Sequence, residues 1–319
     1  MIRVAFVGCG GIQHVHYRHL DEMDDVEMVG HCDVDESRAE DAAARYGGKA
    51  FTEHRVMYDA VKPQVVYVAV PPYAHGDVEE AAIERGVHLF IEKPISNDRA
   101  TAGRIAKALR RSNCICSVGY CYRYYDTAVT ARKLLKGQAI SLISGVWSSG
   151  MPEVWWWRCM DKSGGQVVEQ TTHLIDLLRF LCGDVAEVYA VGSTGCMTQL
   201  KDYDVHDSSV LSLRMKTGAT ASVVSSCVAG YNGSVSLSVL TPDASFRFSQ
   251  GTLSITENGK STEYRSNTDV YAEEDRCFLD AVRTGRKTKI RSSYTDAVKT
   301  FAVTDAANES MRSGLPVKV

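Results

Sequence analysis

Short apolar runs alternate with helix-length patterned stretches through the first third of this chain, and that alternation leaves few folds open. Ile2–Val7 and residues 65–70, 87–91 and 114–118 are mostly apolar, and Val26–Cys32 reads as a further strand. Residues 12–23, 37–46 (with Ser37 as the expected cap), 77–85 and 101–112 carry helical patterns. Strands apolar on both faces need cover on both faces, which parallel sheets receive from their crossover helices. Right-handed crossovers then predict an α/β, doubly wound, Rossmann-type domain over residues 1–121.

Beyond residue 121 the pattern changes. Residues 127–135 and 167–181 read as helices. From 185 to about 265 strand patterns dominate, broken by Gly, Asn and Asp, with Ser234-Val235-Ser236-Leu237-Ser238-Val239 alternating strictly as a half-buried antiparallel strand does. Val270–Thr284 and residues 294–312 read as terminal helices. Residues 122–319 are therefore expected to form an α+β domain with a large, mostly antiparallel open sheet. One face of such a sheet needs cover, and pairing with another subunit is an economical way to provide it.

Composition narrows the function classes. The 319 residues weigh 35.0 kDa, are 45% hydrophobic and 24% charged, and carry a formal charge of -3. Near balance of charge excludes the basic footprint of a nucleic-acid binder and a polybasic membrane patch. No apolar run reaches the roughly 18 residues of a bilayer-crossing helix, and Met1 leads directly into a strand pattern without the layout of a secretory leader. Among ten cysteines none forms a C-x-x-C pair, and none stands near paired histidines at zinc spacing. The expected state is reduced thiols, no metal site, and a cytoplasmic location.

Four motifs carry chemistry. Gly8-Cys9-Gly10-Gly11-Ile12-Gln13 follows the first strand and opens the first helix, where glycines permit a tight turn and backbone approach to a pyrophosphate. Gln13 occupies the position that usually takes a small residue. Asp33, 22 residues past Gly11, ends the second strand, where a carboxylate accepts ribose hydroxyls of NAD and repels the 2′-phosphate of NADP; Arg38 is the nearby counterweight. Val70-Pro71-Pro72-Tyr73-Ala74-His75 and Glu92-Lys93-Pro94 sit at further strand carboxyl ends, the edge where open α/β sheets bind ligands. His75 could equally cap the next helix, whereas Lys93 could hold a substrate oxygen beside a nicotinamide. Finally, residues 164–176 place Glu169 and His173 four apart on one helix face, with Asp176 three further on. A carboxylate beside an imidazole fixes its tautomer and suits it to acid–base work, although such a pair is also a common helix-surface ion pair.

In this order and spacing the four motifs resemble the glucose–fructose oxidoreductase / inositol dehydrogenase (Gfo/Idh/MocA) family along the length of the chain. Gly8 to Ile12, Asp33, the Pro71-to-His75 turn and Glu92-Lys93-Pro94 match its cofactor domain. Val118-Gly119-Tyr120 with Arg123-Tyr124 resembles its interdomain join, and Trp157-Arg158 with Gly164-Gly165, Glu169, His173 and Asp176 its substrate side. The resemblance implies reversible oxidation of a secondary alcohol on a sugar, cyclitol or derivative with NAD. It implies His173 as base, Lys93 positioning the oxygen, and Glu169 in the place of a carboxylate that is usually aspartate. Cofactor contacts are expected at Gly8, Gly10, Gly11, Ile12, Gln13, Asp33, Val70, Pro71, His75, Glu92 and Lys93, and substrate contacts at Lys93, Arg123, Tyr124, Trp157, Arg158, Glu169 and His173. It also implies a homodimer or homotetramer built on the C-terminal sheet. Trp155-Trp156-Trp157 suggests an aromatic pocket wall, or equally core or dimer-interface packing. Two other readings stand beside dehydrogenation: glycoside cleavage through transient oxidation with tightly held NAD, and a non-catalytic NAD sensor.

Overall fold

The computed structural model describes residues 1–230 and 233–319. The chain divides into two units, Met1–Cys121 with Asp269–Val298, and Tyr122–Thr268 with Lys299–Val319.

In the first unit β1 (Ile2–Val7), α1 (Gln13–Asp21), β2 (Val26–Cys32), α2 (Glu36–Tyr46), β3 (Lys49–Phe51), α3 (His54–Val61), β4 (Val65–Val68), α4 (Asp77–Glu84), β5 (His88–Ile91), α5 (Arg99–Arg111) and β6 (Cys116–Val118) follow in order. The strands form one parallel sheet in the order β3-β2-β1-β4-β5-β6. Strand order reverses at β1 and β4, the switch point where such sheets bind ligands. Val7 pairs with both Cys32 and Val68, so the loops leaving β1, β2 and β4 start side by side. The apolar runs read from the sequence are these strands because nearly every residue in them is buried on one face or the other. The α2 cap is Asp35, which accepts from the Ser37 backbone and hydroxyl, rather than Ser37 itself.

The second unit holds α6 (Asp126–Leu135), β7 (Leu142–Ser148), α7 (Met160–Ser163), α8 (Thr172–Cys182), β8 (Val185–Ser193), β9 (Ser208–Met215), β10 (Thr220–Ser226), β11 (Ser234–Leu240), β12 (Ala244–Ser249), β13 (Thr252–Glu257) and β14 (Lys260–Arg265). With β15 (Val317–Lys318) the strands form a nine-stranded sheet, β14-β13-β12-β11-β7-β10-β9-β8-β15, antiparallel except for β7 beside β10. Leu174, Leu177, Leu178 and Leu181 of α8 join one core with Ile143, Leu211, Leu213, Val223, Leu237 and Val239 of the sheet. Each such side chain contributes roughly 1.5–3 kcal/mol by leaving water. The helix read over 167–181 begins instead as a π-helical turn, Val167–Thr171, before α8 proper.

Residues 269–298, assigned from the sequence to the second domain, pack within the first unit. The reason is α9 (Val270–Thr284): its Phe278, Leu279 and Ala281 join the core around Val4, Phe6 and Tyr67, and its Asp275 binds His16 at 2.8 Å. The division between the units falls within α10 (Tyr294–Ser313), at Val298.

Candidate active site

The turn after β1 is tight. Gly8 has φ +87°, and a Cβ there would stand 2.3 Å from the Ala69 carbonyl oxygen, so only glycine fits. A Cβ on Gly10 or Gly11 would meet nothing within 4 Å, which leaves open space along that backbone. Gln13 starts α1 after Ile12, which supplies no side-chain cap. Cys9 N–H donates to Asp33 Oδ2 at 2.8 Å and Asp35 N–H to Oδ1 at 3.0 Å. Each oxygen keeps lone-pair capacity for a hydroxyl. Gln13 is fully buried, and its amide oxygen and nitrogen have no hydrogen-bond partner among the described residues. An open glycine backbone, an uncapped helix start and a pinned carboxylate at the end of β2 fit a dinucleotide with its pyrophosphate at the turn and ribose at Asp33. The Cys9 thiol below the turn is pushed up to about 11 by burial and is a poor nucleophile near neutrality.

After β4, the Pro71-to-His75 loop runs into the α4 cap. His75 Nδ1 bonds Glu79 Oε1 at 2.5 Å, and Glu79 Oε2 accepts from the Gly76 N–H at 2.7 Å, so His75 is tied to a capping interaction. Its Nε2 is buried without a hydrogen-bond partner among the described residues.

Glu92, at the end of β5, is buried. Its Oε2 accepts from Lys93 N–H at 3.1 Å and its Oε1 faces His16 Nε2 at 3.2 Å. Gly119 makes room for this carboxylate, since a Cβ there would lie 2.3 Å from Glu92 Oε1. Behind it lies a cluster the sequence did not reveal: His16, Glu92, Asp275 and fully buried Glu274. Burial alone would lower the His16 pKa, but Asp275 and Glu92 raise it well above the ordinary value. Burial first, then the Glu92 charge, pushes the Glu274 carboxyl well up. Nitrogen and carboxylate oxygens of His16, Glu92 and Glu274 lie within 4.8 Å of one another, a spacing a metal ion could use. Both His16 nitrogens already face carboxylates, however, and the raised pKa values let protons balance the charge.

In the second unit, Glu169 lies on the π-helical turn and His173 near the start of α8. Glu169 Oε2 accepts from Trp157 Nε1 at 2.9 Å. Two rings lie nearly parallel to the His173 imidazole, Trp147 at 5.7 Å and 7°, and Tyr122 at 5.1 Å and 29°. Arg123 donates through Nε and Nη2 to Asp176, both at 2.6 Å, and Asp176 also accepts from the Thr300 hydroxyl at 2.9 Å. Tyr124 and Trp157 are fully buried, Trp155 is exposed, and Arg158 is half-buried.

The sequence of the first unit matches, over residues 2–120, a model described as "Oxidoreductase family, NAD-binding Rossmann fold" (Gfo/Idh/MocA), and residues 130–254 match that family's C-terminal domain. The chain belongs to the Gfo/Idh/MocA oxidoreductase family. Scyllo-inositol 2-dehydrogenase (NAD(+)) of Bacillus subtilis is 25% identical, with all of this chain and 96% of that protein covered. Myo-inositol 2-dehydrogenase of Thermotoga maritima is 24% identical over 72% of this chain and 71% of its own length. The solved structure of levoglucosan dehydrogenase in complex with NADH shares the fold at TM-score 0.88 and 20% identity, covering 100% of this chain and 99% of that one.

Within this Gfo/Idh/MocA chain, Trp147, Tyr122, His16, Glu274 and Asp275 escaped the sequence reading. His16 and Asp275 are separated by 259 positions, so no local pattern joins them. Trp147 reads as an ordinary strand aromatic until His173 is placed against it. Among the described residues no helix is long and apolar enough to cross a membrane.

Proposed function

We propose that this chain is an NAD-dependent dehydrogenase that reversibly oxidises a secondary hydroxyl of a sugar, cyclitol or sugar derivative to a ketone. The observation that carries this reading is the partly exposed His173 at the head of α8 with the carboxylate Glu169 on the turn before it. When bound, the nicotinamide supplies the hydride acceptor. His173 removes the hydroxyl proton and later returns it in the reverse direction. Lys93 holds the substrate oxygen and stabilises negative charge as it develops there. Glu169 supports the charged imidazole, its carboxylate held from the other side by Trp157. Arg123, through its bidentate grip on Asp176, fixes the polypeptide entering α6 to α8.

NAD is favoured over NADP by Asp33, whose charge repels a 2′-phosphate. The nearby cation, Arg38, is engaged by Asp35 at 3.4 Å. Related proteins named as inositol dehydrogenases support a polyol substrate. A panel of polyols and sugars with NAD, followed by absorbance of the reduced nicotinamide, tests the reading. Turnover of at least one member supports it; silence across the panel with NAD binding demonstrated overturns it.

The same reading extends to assembly and location. Leu142, Val146, Val210, Val224, Tyr189, Val191 and Leu240 are exposed on sheet strands, and a homodimer or homotetramer through that sheet would cover them. All ten cysteines are free thiols, in keeping with a reducing, cytoplasmic setting. Light scattering on the purified protein tests assembly, and a monomer at micromolar concentration would contradict it.

A further inference from the structure

We infer that two tryptophans, Trp147 and Trp157, are positioning residues that set the acid–base pair: Trp157 holds the Glu169 carboxylate, and Trp147 holds the plane of the His173 ring. This inference rests on His173 acting as the base.

Glu169 sits on a turn with i→i+5 hydrogen bonding, wider than the α-helix that carries His173. A glutamate has a longer, freer side chain than the aspartate expected at this place, so its carboxylate needs an anchor from outside the helix. Trp157 provides one. It has no exposed surface and packs with Val205 and Cys227, with Met160 and Tyr203 against them. Its loop is tied down on both sides, since Met160 N–H donates to Asp204 Oδ1 at 2.6 Å and Asp204 N–H to the Arg158 carbonyl at 3.2 Å. An indole fixed in this way presents its one N–H in one direction, and Glu169 Oε2 takes it at 2.9 Å.

Trp147 is fixed by a second chain. Its Nε1 donates to Ser149 Oγ at 2.9 Å, Ser149 Oγ donates to Gln170 Oε1 at 3.4 Å, and Gln170 Nε2 donates to the Gly150 carbonyl at 3.0 Å. Gln170 follows Glu169 on the same π-helical turn, so the chain that orients the indole is built on the segment that carries the carboxylate. The indole plane lies within 7° of the imidazole plane, an offset stack that resists rotation of the histidine about χ2. The ring nitrogens therefore keep one direction while the proton moves on and off. The Trp157 indole N–H is spent inside the protein rather than on substrate. That separates its role from the aromatic-wall role its sequence context suggested.

The test uses the full chain with NAD, labelled with ¹³C-histidine. The His173 signals are assigned by their disappearance in His173→Gln. In the parent protein they are displaced from the free-histidine position by the stacked rings. In Trp147→Leu they move back toward that position, whereas Trp147→Phe keeps most of the displacement. Kinetics with any polyol that is turned over give the second readout. Trp157→Phe, which keeps the ring and loses the N–H, and Trp147→Leu each lower kcat on the order of tenfold or more, with KM within about twofold. Trp147→Phe restores most of the rate. If Trp147→Leu fails to fold, Ser149→Ala, which frees the indole, takes its place in both readouts. Unmoved His173 signals together with unchanged kcat in these variants would overturn the inference while leaving the base assignment intact. Full turnover by His173→Gln would instead overturn the base assignment, and the histidine spectra would still decide whether Trp147 holds the ring.

Discussion

Glu274→Gln isolates the proton held behind Glu92. Glu274 is fully buried, neither carboxylate oxygen has a hydrogen-bond partner among the described residues, and burial with the neighbouring Glu92 charge pushes its pKa well above 4.5. Its proton is therefore retained in the folded protein over a pH range in which the unfolded chain has lost it. Between pH 4.5 and the folded midpoint the native state binds one proton more than the unfolded state, so stability falls as pH rises, by about 1.4 kcal/mol per pH unit. Below pH 4.5 both states are protonated and the group is silent. Glutamine copies the neutral acid in shape and does not titrate. The variant gains on the parent as pH rises from 4.5 toward the folded midpoint, by on the order of 1 kcal/mol per pH unit. A constant offset from the added amide donors leaves that slope unchanged. His16, raised by Asp275 and Glu92 against its burial, contributes stability below its ordinary pKa that is lost as pH rises through its folded value. It cancels between the two proteins while Glu274 keeps its proton and is as neutral as glutamine. Urea unfolding from pH 5 to 8 reads the difference. Far-ultraviolet circular dichroism follows both units, and tryptophan fluorescence follows the second unit alone, since all four tryptophans lie there. A pH-independent difference, or a variant that loses stability relative to the parent as pH rises, would show that Glu274 is ionised in the fold and refute the reasoning.

Gly8→Ala puts a methyl 2.3 Å from the Ala69 carbonyl at φ +87°; it should cost at least about 1–3 kcal/mol and abolish NAD binding, read by calorimetry. Asp176→Asn removes the charge that holds Arg123 by two hydrogen bonds of 2.6 Å, and a drop of about 3–5 kcal/mol is expected in urea unfolding. Asp33→Ser should weaken NAD on the order of tenfold to a hundredfold and narrow its advantage over NADP, measured as the two dissociation constants.

The strands of the first sheet were legible because burial on both faces keeps them mostly apolar, and β1 and β2 fall on the bounds read from the sequence. Three-residue β3 carried too little pattern to register, and α3 went unread although α4, equally short, was legible. The π-helical turn was illegible for a related reason: over five residues its period and that of an α-helix select the same apolar positions. Gly8, Asp33 and the Glu169–His173 segment stood out in the sequence because the patterns that mark them as candidates are strung along one stretch of chain. Partners distant in sequence could not. Trp157 showed its ring in the sequence but not the destination of its N–H. The docking of α9 against α1 depends on His16 meeting Asp275, and nothing in either helix names the other.

Hydride transfer is the central claim, and isotopic labelling follows it directly. A polyol turned over in the panel is prepared with deuterium on the reacting carbinol carbon and incubated with NAD and the enzyme. The account predicts that the reduced nicotinamide carries one deuterium, with no appearance of label in solvent, and that His173→Ala forms no labelled cofactor. Deuterium released to water, or turnover that leaves the nicotinamide unlabelled, would contradict it.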